Sequence, residues 1–200
     1  MKQNWSFPLP GNRMLIVLEG IDGSGKATQT RLLVEHLRRE RCPVATLDFP
    51  QYLENFFGRL VRRYLDGAFG SAAAVNPYLA STLYAFDRWE SSSQIRHWLD
   101  TGRAVVLDRY VESNLIHQAI KLEGAARRDF IPWVRSMEYE VLKLPKPNLT
   151  LFLHLPVQAA YDLMQQRGRT LDGHERQREH LEAAERMCLE LAQQRTWSTI

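Results

Sequence analysis

Apolar and polar positions follow two rhythms along the chain, one of strands and one of helices, and the two take turns. Met14 to Leu18 is an unbroken apolar run, as in a parallel strand covered on both faces. From Lys26 to about Arg39, Leu33, Val34 and Leu37 recur at helical spacing while Arg38, Arg39 and Glu40 face water. Pro43 resets the chain, and Val44 to Leu47 reads as a second strand. Residues 54–67 read as a helix stopped by Gly67. Asn76 suits the N-cap and Pro77 the first position of a long helix that runs to about Thr101-Gly102. Ala104 to Leu107 is a third strand, followed by helices over about 111–122 and 126–142. The second of these carries Phe130, Val134, Met137 and Val141 at helical spacing, which predicts a core face. Leu144-Pro145-Lys146-Pro147 breaks the pattern, and Leu149 to Leu155 is a fourth, near-continuously apolar strand. Pro156 opens a helix to about Gln166. A last helix lines up Leu181, Ala184, Cys188 and Leu191, and Thr196 to Ile200 reads as a short fifth strand.

Strands alternating with helices imply an α/β fold with a five-stranded parallel sheet wrapped on both faces. In such sheets the ligand lies at the carboxyl ends of the strands. The chain has 200 residues, 44% of them apolar and 24% charged, enough to bury a core in one domain. Residues 1–13 form a loose arm and 14–200 the domain. The net charge of +3 and pI near 9.0 are a mild excess that a polyphosphate site absorbs, so neither nucleic acid nor a membrane is expected as a partner. Residues 1–13 lack the apolar stretch of a signal peptide, and no segment reaches the length of a membrane span. Cys42 and Cys188 stand in no metal-ligand spacing and read as reduced thiols of a cytoplasmic protein.

Candidate chemistry starts where the first strand ends. Gly20-Ile21-Asp22-Gly23-Ser24-Gly25-Lys26 is Gly-x-x-x-x-Gly-Lys between a strand and a helix, the pattern of a phosphate-binding loop. The glycines let backbone N–H groups converge on an anion, the helix N-terminus adds its dipole, and Lys26 supplies a point charge for the phosphates. The bland alternative is an ordinary glycine turn. The pattern departs at Ala27, where a Ser or Thr ligand of Mg²⁺ is usual; Thr28 comes one place late. Asp108 ends the Val-Val-Leu-Asp strand and suits either a Mg²⁺ ligand or a helix N-cap. Arg109 suits a phosphate or a surface ion pair. Tyr84 and Arg88 are four apart, on one helix face, and suit a planar base; alternatively Tyr84 is core and Arg88 pairs with Asp87 or Glu90. The segment at about 166–179 holds Arg167, Arg169, Glu175, Arg176 and Arg178 with Gly168 and Gly173, either a solvated face or a lid that brings arginines to a transferring phosphoryl group.

Together these pieces resemble the thymidylate kinases, nucleoside monophosphate kinases with a P-loop NTPase fold. The resemblance runs from about residue 14 to 197. It is carried by Glu19 to Lys26, Phe49-Pro50-Gln51-Tyr52, Tyr84-Ala85-Phe86-Asp87-Arg88, Asp108 to Asn114, Leu144 to Leu149 and Asp172 to Arg176. It implies transfer of the γ-phosphoryl of ATP to dTMP with Mg²⁺, in a homodimer. By resemblance, Gly20 to Thr28 bind ATP, and Asp22 meets the acceptor sugar near the metal. Phe49 and Tyr84 wall the base pocket, Arg88 and Asn114 read the base, and Tyr52 and Arg109 hold the acceptor phosphate. Asp22, Asp108 and Glu175 are the carboxylates near the metal. The P-loop offers no basic residue at Gly23 or Ser24, which resembles the bacterial class whose catalytic arginine is in the lid, here Arg167 or Arg169.

Two departures shape the expectations. His117 stands where part of the family has a tyrosine under the sugar, which leaves a kinase of another nucleotide, such as dUMP or dCMP, as the near alternative. Ala27 and a chain that stops at Ile200 motivate a more distant one, a nucleotide-binding regulator without turnover. The family continues past its last strand, so a short fifth strand and a less covered sheet face are expected.

Overall fold

The computed structural model describes residues 13–166, 178–193 and 197–200. The expected lid residues Arg167, Arg169, Glu175 and Arg176 and most of the N-terminal arm lie outside the described residues. Strands β1 (Leu15–Glu19), β2 (Val44–Asp48), β3 (Ala104–Asp108), β4 (Leu149–Phe152) and β5 (Ser198–Thr199) form one parallel sheet in the order β2-β3-β1-β4-β5. Helices α1 (Lys26–Arg39), α2 (Phe56–Leu65), α3 (Pro77–Asp100), α4 (Val111–Ala119), α5 (Gly124–Arg135), α6 (Val157–Gln166) and α7 (Arg178–Gln193) connect and cover it.

The pleat of β1 divides its apolar run between two cores. Leu15 and Val17 pack with Val105, Leu107, Ile95 of α3 and Tyr110. Ile16 and Leu18 pack with Val106 and with Val34 and Leu37 of α1. A third cluster joins α4, α5, α6 and α7 through Leu115, Phe130, Ala160, Leu181 and Cys188. Each such side chain taken fully out of water contributes about 1.5–3 kcal/mol, so β1 is the strand on which the sheet is built. The N-terminus of α3 agrees with the sequence: Asn76 Oδ1 accepts from the Tyr78 N–H at 2.9 Å with Pro77 in the first turn.

The segment expected as one helix over 126–142 departs from it. Pro132 lies inside α5 and cannot supply the N–H that the carbonyl four residues back would receive. The wider turns of a π-helix come next, at Ser136–Val141. Their extra residue per turn rotates the register. Phe130 and Val134 are fully buried as expected, but Val141 is 71% exposed, while Glu138 and Tyr139 turn inward. The fourth strand is shorter than expected, ending at Phe152, and its last two residues pair with β5.

Candidate active site

The carboxyl ends of β1, β2 and β3 lie side by side, with Leu18 opposite Asp108 and Asp108 opposite Asp48. The loops and turns leaving these strand ends make the site. After β1 comes the glycine loop. Gly23 adopts φ 81°, and a Cβ there would stand 2.6 Å from the Ala160 carbonyl oxygen of α6, so both the backbone conformation and the close approach demand glycine. Gly25 caps α1 in the left-handed region, which aims the free N–H groups of the first turn at the loop. Lys26 is buried, and its Nζ donates to the carbonyls of Gly20 (3.0 Å) and Ile21 (2.7 Å). Ser24 Oγ is buried without a hydrogen-bond partner among the described residues. Ala27 is exposed, and Thr28 lies about 100° further round α1, so its hydroxyl does not take the place of the missing one.

Glu19, for which the sequence suggested no separate role, fastens this loop to the one after β3. Its carboxylate is fully buried and accepts from the Tyr110 N–H (2.9 Å), the Ser113 N–H (3.2 Å) and the Ser113 hydroxyl (2.6 Å). Burial pushes its pKa up, opposed by Ser113, Arg109, Tyr110 and Lys26. Directly after β3, Arg109 is held at φ 67°, a left-handed conformation that a non-glycine residue adopts at a cost and that recurs at functional sites. Its Nη2 forms an ion pair with Asp22 Oδ1, and its Nη1 lies 3.3 Å from His117 Nε2. Asp108 is half-buried at the end of β3, and the N-cap of α4 is Tyr110, so the N-cap alternative for Asp108 does not hold.

One cleft receives Asp22, Phe49, Tyr52, Tyr84, Arg88, Arg109, Asn114 and His117, all the residues expected around the acceptor nucleotide. Phe49 comes just after β2, its ring 6.0 Å from that of Tyr110. Tyr84 and Arg88 come from one face of α3, Asn114 and His117 from α4. Arg88 pairs with neither Asp87 nor Glu90. Its Nε and Nη2 form a two-pronged bond with Glu138, both at 2.6 Å, and both residues are buried. Asn114 Nδ2 donates to Glu138 Oε1 (2.8 Å) and to the Ser81 carbonyl (3.1 Å). Both partners are acceptors, which identifies this atom as the nitrogen and leaves Asn114 Oδ1 buried without a partner among the described residues. Glu138 lies on the inward-turned π-helix, so helical periodicity in the sequence carried no signal for it.

Asp87 and Glu90 work on the neighbouring segment instead. Asp87 is buried and accepts from the Gln51 N–H (3.1 Å) and from Asn55 Nδ2 (3.2 Å), and burial pushes its pKa up to about 6. Glu90 accepts from the Phe56 and Phe57 N–H groups at 3.2 and 2.7 Å, capping α2, whose own N-cap side chain makes no cap bond. Gly58 lets α2 approach this turn, since a Cβ there would meet the Gln51 carbonyl oxygen at 1.9 Å. Thus Phe49 and Tyr52 are held by a turn pinned to the helix that carries Tyr84 and Arg88.

A glycine-rich phosphate loop at a strand end, joined by an ion pair to an arginine in a neighbouring cleft with aromatic walls, defines a nucleotide kinase of the P-loop class. The thymidylate kinase family model matches residues 18–200, and the chain belongs to that family. It is 33% identical over 186 residues to the thymidylate kinase of Mycobacterium tuberculosis, covering 90% of this chain and 86% of that protein. It is 34% identical over 141 residues to the human thymidylate kinase, covering 70% of this chain and 60% of that one. A solved thymidylate kinase structure from Candida albicans superposes with a TM-score of 0.74 at 26% identity, over 94% of this chain and 82% of that one.

Proposed function

We propose that the chain transfers the γ-phosphoryl group of ATP to dTMP, giving dTDP and ADP. The observation that carries this reading is the Asp22–Arg109 ion pair, which joins the phosphate loop to a cleft lined by aromatic and base-reading side chains. In the proposed arrangement ATP phosphates occupy the loop amides from Gly20 to Thr28 and draw Lys26 Nζ from the Gly20 and Ile21 carbonyls. Arg109 and Tyr52 hold the acceptor phosphate, with Asp22 between donor and acceptor. Phosphoryl transfer passes through a loose transition state, so the protein's work is alignment and charge neutralisation. By resemblance, Arg167 or Arg169 adds the last positive charge.

The polarity of the cleft favours a thymine or uracil edge over cytosine. Arg88 keeps Nη1 outside its fork with Glu138, and Asn114 keeps Oδ1 unpaired among the described residues. A donor beside an acceptor matches O4 and N3–H of thymine. Cytosine presents an amino donor at that edge, which would leave buried groups unmatched. Tyr84 offers a ring for stacking.

Mg²⁺ fits this donor set in a limited way. The ion binds through one or two carboxylates, with phosphate oxygens and water completing its shell. Asp22, in the loop after β1, and Asp108, at the end of the adjacent β3, are the described carboxylates suited to it. No cluster of three or more His, Cys, Asp or Glu side chains forms a metal site among the described residues. The ion would neutralise phosphate charge; with Ala27 in place of a hydroxyl, the carboxylates must hold it. A homodimer is supported by an aromatic patch on α2 and α3. There Phe56 is 57% and Trp89 48% exposed, and ring contacts run through Phe57 and Phe86. ADP release coupled to dTMP addition tests the reading: turnover must require both ATP and dTMP, and none with any monophosphate sinks it.

A further inference from the structure

Arg109 does not end its contacts at the cleft. Its Nη1 lies 3.3 Å from His117 Nε2, and His117 Nδ1 lies 3.1 Å from Nε2 of His180, the third residue of α7. The two imidazole rings are nearly parallel, 5° apart in plane, with centroids 5.4 Å apart. Donor chemistry sets the direction of this chain. A guanidinium only donates, so His117 Nε2 must accept and its proton sits on Nδ1. That proton is then given to His180 Nε2, which must accept in turn, leaving the His180 proton on Nδ1. The same polarity holds at Ser113, whose hydroxyl proton is committed to Glu19 at 2.6 Å and whose oxygen faces Arg109 Nη1 at 3.5 Å. The guanidinium is therefore fixed from one side by Asp22 and from the other by an imidazole that itself has a designated acceptor.

We propose that His180 is a positioning residue for acceptor binding: through His117 it orients Arg109, so that α7 sets the geometry of the acceptor-phosphate subsite. This rests on the reading of Arg109 as a ligand of the dTMP phosphate. The chemistry requires an acceptor at the His180 Nε2 position. Without one, nothing keeps the His117 proton on Nδ1, and the tautomer with the proton on Nε2 would set donor against donor at Arg109. The consequence falls on the arginine-held substrate and not on ATP, whose expected contacts are in the loop from Gly20 to Thr28.

The test is a set of purified full-length variants assayed by ADP release with ATP and dTMP. His180→Leu is expected to raise KM for dTMP by roughly five- to tenfold, the worth of one supporting hydrogen bond, with KM for ATP within about twofold of wild type. His180→Gln, whose side-chain amide reaches the position of Nε2 and offers an oxygen, should restore KM for dTMP to within about threefold. In a His117→Ala background His180→Leu should have no further effect on KM for dTMP. Where the leucine variant does not fold, His180→Asn, polar but too short to reach His117, must show the same rise. An unchanged KM for dTMP in the folded variants, an equal rise for both substrates, or no rescue by glutamine overturns the proposal. Failure of the wild-type protein to phosphorylate dTMP overturns the function itself, so the two failures are distinguishable.

Discussion

Glu138→Gln changes one atom of the buried pair behind the cleft and should cost far more than its size suggests. Arg88 is 2% exposed and Glu138 0%, and two bonds of 2.6 Å join them. Glutamine fills the same volume and can still accept from Asn114 through one oxygen. It removes the counter-charge, however, and sets an amide N–H₂ against a guanidinium that has no solvent to turn to. Breaking a buried pair from one side costs about 3–5 kcal/mol, against less than about 1 kcal/mol for an exposed pair such as Arg31–Glu35. For a chain of this length about 3 kcal/mol corresponds to a fall in Tm of roughly 6–12 °C. The assay is denaturant unfolding of the purified variant, with KM for dTMP measured beside it. KM should rise, because Arg88 and Asn114 both lose their common anchor. The double variant Arg88→Leu, Glu138→Leu should regain most of the stability, since the desolvation penalty vanishes with the charges, while leaving base recognition lost. A change below about 1 kcal/mol for Glu138→Gln in a folded protein would mean that the Arg88–Glu138 pair is not shut away from water.

The same geometry sets other expectations. Lys26→Ala should lower kcat by about 10²–10³-fold while the unfolding midpoint stays close to wild type, measured by single-turnover assay and denaturation, because in the proposed arrangement it removes a fixed charge from the ATP phosphates. Asp87 has a folded pKa of about 6, raised by burial above its usual value of 3.8, so the folded state binds its proton more tightly than the unfolded chain. Its stabilising contribution is present below about pH 4 and lost as pH rises through about 6, an effect on the order of 3 kcal/mol. Asp87→Asn should therefore gain stability relative to wild type between those pH values in urea melts, and a constant difference would contradict this. Gly23→Ala should destabilise the loop by about 1–3 kcal/mol and weaken ATP binding, read by calorimetry, because the new Cβ would strike the Ala160 carbonyl in a left-handed backbone. Trp89→Glu on the exposed face of α3 should convert the expected dimer to monomer in light scattering, with the monomer retaining its fold.

How much of this was legible in the sequence depended on how local the cause was. The phosphate loop was readable because its constraints lie within a few residues: Gly23 and Gly25 take positive φ values, and Lys26 opens the helix they cap. The residues expected around the acceptor were readable as types in the family's order, and the fold brings them to one cleft because each comes after a strand end or sits on one of two helices facing that edge. Glu138 was not readable. Its place depends on Pro132 and the π-helix after it, which turn a position outside the expected apolar stripe into the interior. The partner of Arg88 lies 50 residues away, and helical spacing pointed to Asp87 and Glu90 instead. Glu19 was visible only as a letter in the loop motif, because its bonds cross from β1 to α4. The contact of His117 with His180 spans 63 residues and has no signature in sequence spacing.

On the proposed function, this chain phosphorylates dTMP with the base chosen by Arg88 and Asn114. The most direct measurement is kcat/KM by ADP release with ATP and Mg²⁺ across dTMP, dUMP, dCMP and TMP bearing a ribose. The highest value is expected with dTMP, a lower one with dUMP and the lowest with dCMP, whose amino group meets the wrong polarity. Equal or better turnover of dCMP, or no turnover of any of them by folded protein, would contradict it.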